Sequence, residues 1–388
     1  LAIPLIYGVD AIHGNSNVLG ATVFPHNIGL GATRDPDLLK RIAQATAREI
    51  LACGVDWTFA PTLAVARNDH WGRTYESYSE DTQLVTSYAA PFVEGMQSDL
   101  GDDGVAACVK HWVGDGGTTH GIDQGETTLS LGELRDVHMR PYQPAIDAGV
   151  LTVMASFNSW NGDKCHGHKQ LLTDVLKDEM GFEGFIISDW DGIDYLSEDY
   201  YDAVGKGVNA GIDMFMVSVE WIEFISHVRN HVLNGTVSMQ RIDDAVRRIL
   251  LTKFAAGLFE KPRPQERPWS NSDSFGADQH REIAREAVRK SMVLLKNQDE
   301  LLPLKKQARI LVAGKSADNR GHQCGGFTVA WQGVQDNESI VGGTSVWEGI
   351  KNQAANAVLS EDGLGLDADP TLHDVAVVVI GERPYAEG

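Results

Sequence analysis

From Pro4 to about Val217 one unit recurs: a short apolar run, a polar loop, then a stretch with apolar residues at helical spacing. The runs are "PLIYGVD", "VDWTFAP", "VAACVKH", "LTVMASF", "FIISDW" and "GIDMFMV". Between them lie segments such as "DPDLLKRIAQATAREILACG", where Asp35 is placed to cap a helix before Pro36 and Gly54 marks its end. Strands alternating with helices predict a parallel sheet. Six units are visible, and one or two more before Leu1 would make a (β/α)8 TIM-like barrel, a better fit than an open sheet. The expected barrel covers residues 1–258, with its first unit missing.

Nearly every run ends in polar side chains: Asp10 after the first, Lys110 and His111 after "VAACV", Ser156 and Asn158 after "VMA", Asp189 and Trp190 after "FII". In a barrel the carboxyl ends of all strands meet at one face, so residues nearly 180 positions apart share a pocket there. After the helical stretch "SMQRIDDAVRRILLTKFAAGLF" the composition turns to Pro and charge in "EKPRPQERPWSNSD", which predicts a linker over 259–275. A second α/β domain is expected over 276–388, with helix "DQHREIAREAVRKSMVLLKN" and strands "ARILVAG" and "DVAVVVIG". The chain opens at Leu1 without Met or signal peptide and closes at "PYAEG" directly behind an apolar strand, so both ends read as cut.

The 33 Lys and Arg stand against 54 Asp and Glu, a formal charge of −21 with no basic cluster, which argues against nucleic acid as a partner. No run of about 18 apolar residues exists to span a membrane. The cysteines Cys53, Cys108, Cys165 and Cys324 lie far apart and read as buried thiols. Asn234-Gly-Thr and Asn337-Glu-Ser are glycosylation sequons, of weight only in a eukaryotic secretory route. The expected setting is periplasmic or secreted.

Cleaving a glycosidic bond takes two carboxyl groups in unlike settings, one to protonate the leaving oxygen and one to attack the anomeric carbon or activate water. Asp189 is the first candidate. A carboxylate at a strand end also serves as a helix cap, but Asp191 is better placed for that, which leaves Asp189 to face the pocket. An adjacent Lys110–His111 pair at a barrel rim points to substrate binding rather than core. The loop "HWGRTYESYSED" reads either as a solvated ion-pair loop or as the source of Arg73, whose fork of donors suits a vicinal diol or carboxylate. Asp10, His13, His111, Asp115 and His120 lack H-x-x-x-H or H-E-x-x-H spacing, and "VAGKSADNRG" lacks G-x-G-x-x-G, so neither metal nor cofactor is expected.

The motifs "GVDAIHG", "GRTYESYSED", "KHWVGDGGTTHGID", "MASFNSWNG", "GFIISDWDGID", "CGGFTVAWQG" and "GERPYAE", in this order from about Tyr7 to the chain end, resemble glycoside hydrolase family 3, in its β-glucosidase and exo-β-glucan glucohydrolase branch. The resemblance implies a barrel followed by an α/β sandwich, a retaining mechanism and a site at the domain junction. It implies Asp189 as nucleophile and Glu387 as general acid/base. Asp10, Arg73, Lys110 and His111 would hold the nonreducing-end glucose, and Trp190 with Trp331 would sandwich the next sugar. Phe157 stands where relatives carry Tyr, in a substrate-binding position; Gln124 replaces a frequent Glu, and Tyr195 a frequent Arg. These departures bear on outer-sugar preference.

The expected activity is release of terminal nonreducing β-D-glucose from β-linked gluco-oligosaccharides, with glucose as product. The alternatives are a related β-xylosidase or N-acetylhexosaminidase, or a sugar-binding fragment without turnover. Lys110 and Arg73 are expected to keep Asp189 ionised, and a less solvated setting to keep Glu387 protonated.

Overall fold

The computed structural model describes residues 3–101, 103–270, 272–364 and 369–387; Leu1 and Gly388, the outer bounds of the expected domains, lie outside them. Contacts divide the chain into two compact α/β units, one of Phe24–Ser291 with the segment up to Asn15, the other of Ser16–Val23 with Met292–Glu387. Residues 259–275 lie within the first unit, where Lys261 and Arg267 both pair with the buried Asp56 at 2.7 and 2.9 Å.

In the first unit, β1 (Gly8–Val9) pairs in parallel with β2 (Trp57–Thr58). Parallel bridges Trp57↔Ala106 and Thr62↔Lys110 join that pair to β3 (Cys108–Trp112), which pairs with β4 (Thr152–Ala155), and β4 with β5 (Phe185–Ile187). The neighbours in space are thus the neighbours in sequence, all pointing one way. Helices Pro36–Ala52 (α1), Thr82–Met96 (α2) and Tyr200–Ala210 (α3) are three of the connections. In α1 the Asp35 carboxylate accepts from Leu38 N–H at 2.9 Å with Pro36 in the first turn, as expected from the sequence. Its buried face carries Leu38, Leu39, Ile42, Thr46 and Ile50, the i, i+3, i+4 pattern of a helix lying on a core.

The sixth apolar run differs from expectation. "GIDMFMV" forms no strand, only the bridge Ile187↔Met214. The reason is Asp213, whose buried carboxylate takes the Ile186 N–H at 2.8 Å, a donor that a neighbouring strand would otherwise use. Lys177 balances that carboxylate at 2.8 Å. Trp57, Ala106, Cys108, Met154, Phe185 and Ile187, from consecutive runs, close into one buried cluster. Phe185 is fully buried there, and its removal would cost about 3–5 kcal/mol. This packing sets the height at which each polar strand end emerges.

After α4 (Trp221–Leu233) and α5 (Met239–Ala255), α6 (Asp278–Ser291) stops at the boundary of the unit, short of the expected "MVLLKN". The second unit is a parallel three-stranded sheet of β6 (Ile310–Ala313), β7 (Ala357–Ser360) and β8 (Val375–Val378), in the order β7-β6-β8. β6 and β8 follow the expected runs; β7, in "NAVLSE", has too few apolar residues to stand out.

Candidate active site

Five sequence-predicted residues converge at the strand ends of the first unit. Lys110, on β3, is 2 % exposed and donates to Asp10 Oδ1 at 2.9 Å, at the end of β1. His111, the next residue on β3, receives Arg73 Nη2 at 3.2 Å on its Nε2. The same Nε2 stands 3.7 Å from Asp189 Oδ2, just beyond β5. A small cavity is lined by Trp71, Arg73, His111, Asp115, Phe157 and Asp189. A wider hollow lined by Gly257, Lys261, Arg267 and Trp269 involves none of them, and its cations are already paired with Asp56.

The Arg73 fork is oriented from within its own loop. Glu76 sits one short turn later and is 1 % exposed; it accepts Nε at 2.6 Å and Nη2 at 3.1 Å. The "HWGRTYESYSED" loop is therefore a buried ion pair at this point rather than a solvated one. A buried pair of this kind must be well hydrogen-bonded to persist, and Thr62 adds a third donor to Glu76 at 3.3 Å.

Burial and charge act in opposite directions on the titrating groups. For Lys110, burial favours the neutral amine, but the carboxylates of Asp10 and Glu76 outweigh it and lift the pKa above the ordinary lysine value. Burial, then the Arg73 and Lys110 charges, drives His111 well below its usual range, so the imidazole is neutral. With Arg73 donating to Nε2, the His111 proton sits on Nδ1 and points to Asp115 Oδ2 at 2.9 Å. Asp115 itself is pushed up to about 7, chiefly by burial, against the pull of Arg73 and the Gly116 N–H.

Asp189 is pulled both ways. Arg73, Lys110 and the Trp190 N–H at 2.7 Å favour its carboxylate, yet burial is the larger effect and Asp10 adds to it, so the net shift is upward. The capping expectation fails. Asp191 precedes a short turn at φ 50° with no side-chain cap, and its carboxylate instead takes Ser218 N–H at 2.7 Å and the Ser218 hydroxyl. That bond ties the segment after the sixth run to the turn that follows Asp189.

Trp190 is 65 % exposed, and Phe157 is half-buried, 5.8 Å from the Tyr195 ring and 5.5 Å from the His166 ring. Lys164 Nζ donates to the Phe157 and Gln124 carbonyls at 2.8 and 3.2 Å, fixing the loop beneath them. Sequence reasoning missed His166, whose Nε2 receives the Asp189 amide at 2.9 Å. Only the paired histidines of "KCHGHK" could have hinted at it. Among the described residues no group of three or more His, Cys, Asp or Glu is arranged to hold a metal ion.

Trp331 and Glu387 belong to the second unit, which brings their loops together although 56 residues separate them (387 − 331). Gln332 Oε1 accepts the Ala386 N–H at 2.8 Å. A Cβ on Gly326 would lie 2.1 Å from the Tyr385 carbonyl, so only glycine allows this approach. In the same loop Phe327 and Val329 adopt φ 52° and 64°, costly for an aromatic and a β-branched residue, and Ser16 holds both through Val329 N–H and the Phe327 carbonyl, each at 2.7 Å. Trp331 is 56 % exposed and Glu387 half-buried.

The glycosyl hydrolase family 3 N terminal domain matches residues 1–252, and the C-terminal domain of that family matches 292–388. A lysosomal beta glucosidase of Dictyostelium discoideum is 34% identical over 99% of this chain and 50% of its own length. A beta-xylosidase of Formosa agariphila is 33% identical over 95% of this chain and 53% of its own, and a periplasmic beta-glucosidase of Salmonella typhimurium 33% over 100% and 51%. The crystal structure of an exo-1,3/1,4-beta-glucanase from a Pseudoalteromonas species superposes with a TM-score of 0.94 at 49% identity, covering 100% of this chain and 49% of that one. The chain spans about half the length of the curated relatives it matches.

Proposed function

Because this chain belongs to glycoside hydrolase family 3, we propose that the protein is a retaining, exo-acting β-glucosidase of the exo-1,3/1,4-β-glucanase kind, releasing terminal β-D-glucose from gluco-oligosaccharides. The observation that carries the reading is Asp189: a carboxylate at the end of a fully buried strand, facing Arg73, Lys110 and His111 and tethered by its own backbone. The in-order parallel succession from β1 to Met214 supports a (β/α)8-type barrel for the first unit, with these residues at its carboxyl-end face.

In this reading Asp189 Oδ1 is held by Trp190 N–H, and Oδ2 attacks the anomeric carbon. As the C–O bond to the departing sugar breaks, Glu387 gives its proton to that oxygen, leaving a glucosyl ester on Asp189. Ionised Glu387 then takes a proton from water, the hydroxide attacks the same carbon, and the ester bond breaks to return the carboxylate and glucose of retained configuration. Asp10, Arg73, Lys110 and His111 hold the hydroxyls of that glucose, Lys110 as a cation and His111 as a neutral imidazole. Phe157 and Trp190 in the first unit and Trp331 in the second each offer an apolar face to a sugar ring, the two tryptophans being more than half exposed. No cofactor enters these steps.

The xylosidase name of one relative keeps β-xylosides as a second substrate class. A panel of nitrophenyl glycosides separates the two, and a 2-deoxy-2-fluoroglucoside inactivator should label Asp189; labelling of Asp10 or Asp191, or of nothing, would overturn the assignment. A periplasmic or secreted setting is supported by the name of the Salmonella relative.

A further inference from the structure

The geometry points to His166 as a positioning residue for the Asp189 carboxylate, an inference that rests on the reading of Asp189 as nucleophile. His166 lies in the short turn Cys165–Gly167 and is 0 % exposed. The Asp189 N–H donates to its Nε2 at 2.9 Å. A backbone amide can only donate, so this nitrogen carries the lone pair and the ring proton is on Nδ1. Burial pushes the imidazole down to about 3, so the acceptor persists at every pH at which the fold is useful.

The ring is also a spacer. A Cβ built on Gly192 would come within 2.4 Å of the same Nε2, so the imidazole fills the volume a side chain at 192 would take. Asp189 and Gly192 are the two ends of one turn, closed by Gly192 N–H on the Asp189 carbonyl at 3.1 Å, with Asp191 left-handed between them. His166 therefore sets the Asp189 amide from one side and limits the turn from the other. Nδ1 faces the Ser156 backbone, whose hydrogen bond pulls the pKa up against burial. The link from Nε2 is the ring's polar contact with the Asp189 turn, and the Phe157 ring 5.5 Å away backs it by packing.

With the amide pinned, the Asp189 side chain has a fixed origin, from which Oδ1 meets Trp190 N–H and Oδ2 faces His111. Loss of the acceptor leaves a buried N–H that must turn toward another partner, and the carboxylate turns with it. Binding of glucose by Lys110, Asp10 and Arg73 is unaffected by such a rotation, whereas in-line attack is not.

The test compares His166→Phe, which fills the slot without accepting, with His166→Gln, which offers an amide oxygen. In His166→Phe, exchange of the amides in the 185–192 peptide should accelerate about tenfold or more. Inactivation by dinitrophenyl 2-deoxy-2-fluoro-β-glucoside should slow by about 10- to 100-fold, with inhibition by glucose changed less than about threefold. His166→Gln should recover much of both. Unchanged exchange or unchanged inactivation in folded His166→Phe overturns the inference, as does an equal loss of glucose binding. If His166→Phe does not fold, Gly192→Ala, which drives a methyl against the ring, must give the same split between inactivation and glucose binding, and its failure to do so overturns the inference. A wild-type protein not labelled at Asp189 would refute the nucleophile reading alone; the exchange measurement still decides whether His166 holds the amide.

Discussion

Glu76 offers the sharpest test of how the sugar-facing charges are held. Glu76→Gln conserves volume but removes the anion that grips Arg73 through two bonds of 2.6 and 3.1 Å. At 2.6 Å, with an effective dielectric of about 20, the charge–charge attraction is about 6 kcal/mol, part of which offsets the desolvation of both ions. Glutamine leaves Arg73 buried without a counter-charge in its own loop and turns one amide N–H₂ toward a guanidinium that can only donate. Breaking a buried pair of this sort costs about 3–5 kcal/mol. For a protein of this size that is a fall in Tm of roughly 4–8 °C, seen by calorimetry as movement of the transition that contains the first unit. Activity should fall further than stability explains. Arg73 Nη2 also donates to His111 Nε2, so an unanchored fork disturbs two sugar-binding residues, and kcat/KM on nitrophenyl glucoside should drop about 100-fold at a temperature where the variant is folded. A variant within about 1 kcal/mol of wild type in stability and within threefold in kcat/KM would show that Glu76 is dispensable to Arg73 and refute the argument.

Asp115 makes a pH-dependent prediction. Its folded pKa of about 7 lies above the ordinary 3.8, so its contribution to stability is whole below about pH 4 and is lost as the pH rises through 7. Asp115→Asn should therefore gain on wild type by about 1–4 kcal/mol between pH 4 and pH 8; a Tm difference flat across that range would contradict it. Glu387→Ala should damage substrates with poor leaving groups far more than activated aryl glucosides, and azide should restore turnover as glucosyl azide, whereas equal loss without rescue would point to another acid. Trp331→Ala should raise KM for β-1,3- and β-1,4-linked glucose disaccharides severalfold, about 1 kcal/mol, while inhibition by free glucose changes much less; equal weakening of both would make it a packing residue.

The sequence by itself determined the local grammar of this chain. The repeated run, loop and helix unit, the Asp35 cap ahead of Pro36 and the polar residues closing each run depend on interactions within a few positions, and apart from the sixth run, which makes only a bridge, they are present as read. Asp189, Lys110, His111 and Asp10 were legible as candidates because a polar group at the end of a buried run has few other uses, and Arg73 because its fork of donors suits a sugar diol. What tertiary structure alone decided is how those groups are held and charged. That His166 receives the Asp189 amide and that Asp213 replaces a strand's ladder bond are contacts across other strands or loops, with no trace in local spacing, and that the near neighbours Glu76 and Asp115 turn inward to Arg73 and His111 is likewise decided by what buries them. Burial is the clearest case. Lys110 and Arg73 lie beside Asp189 as anticipated and favour its carboxylate, but burial outweighs their pull, because the cost of taking a carboxylate out of water is set by everything packed around it.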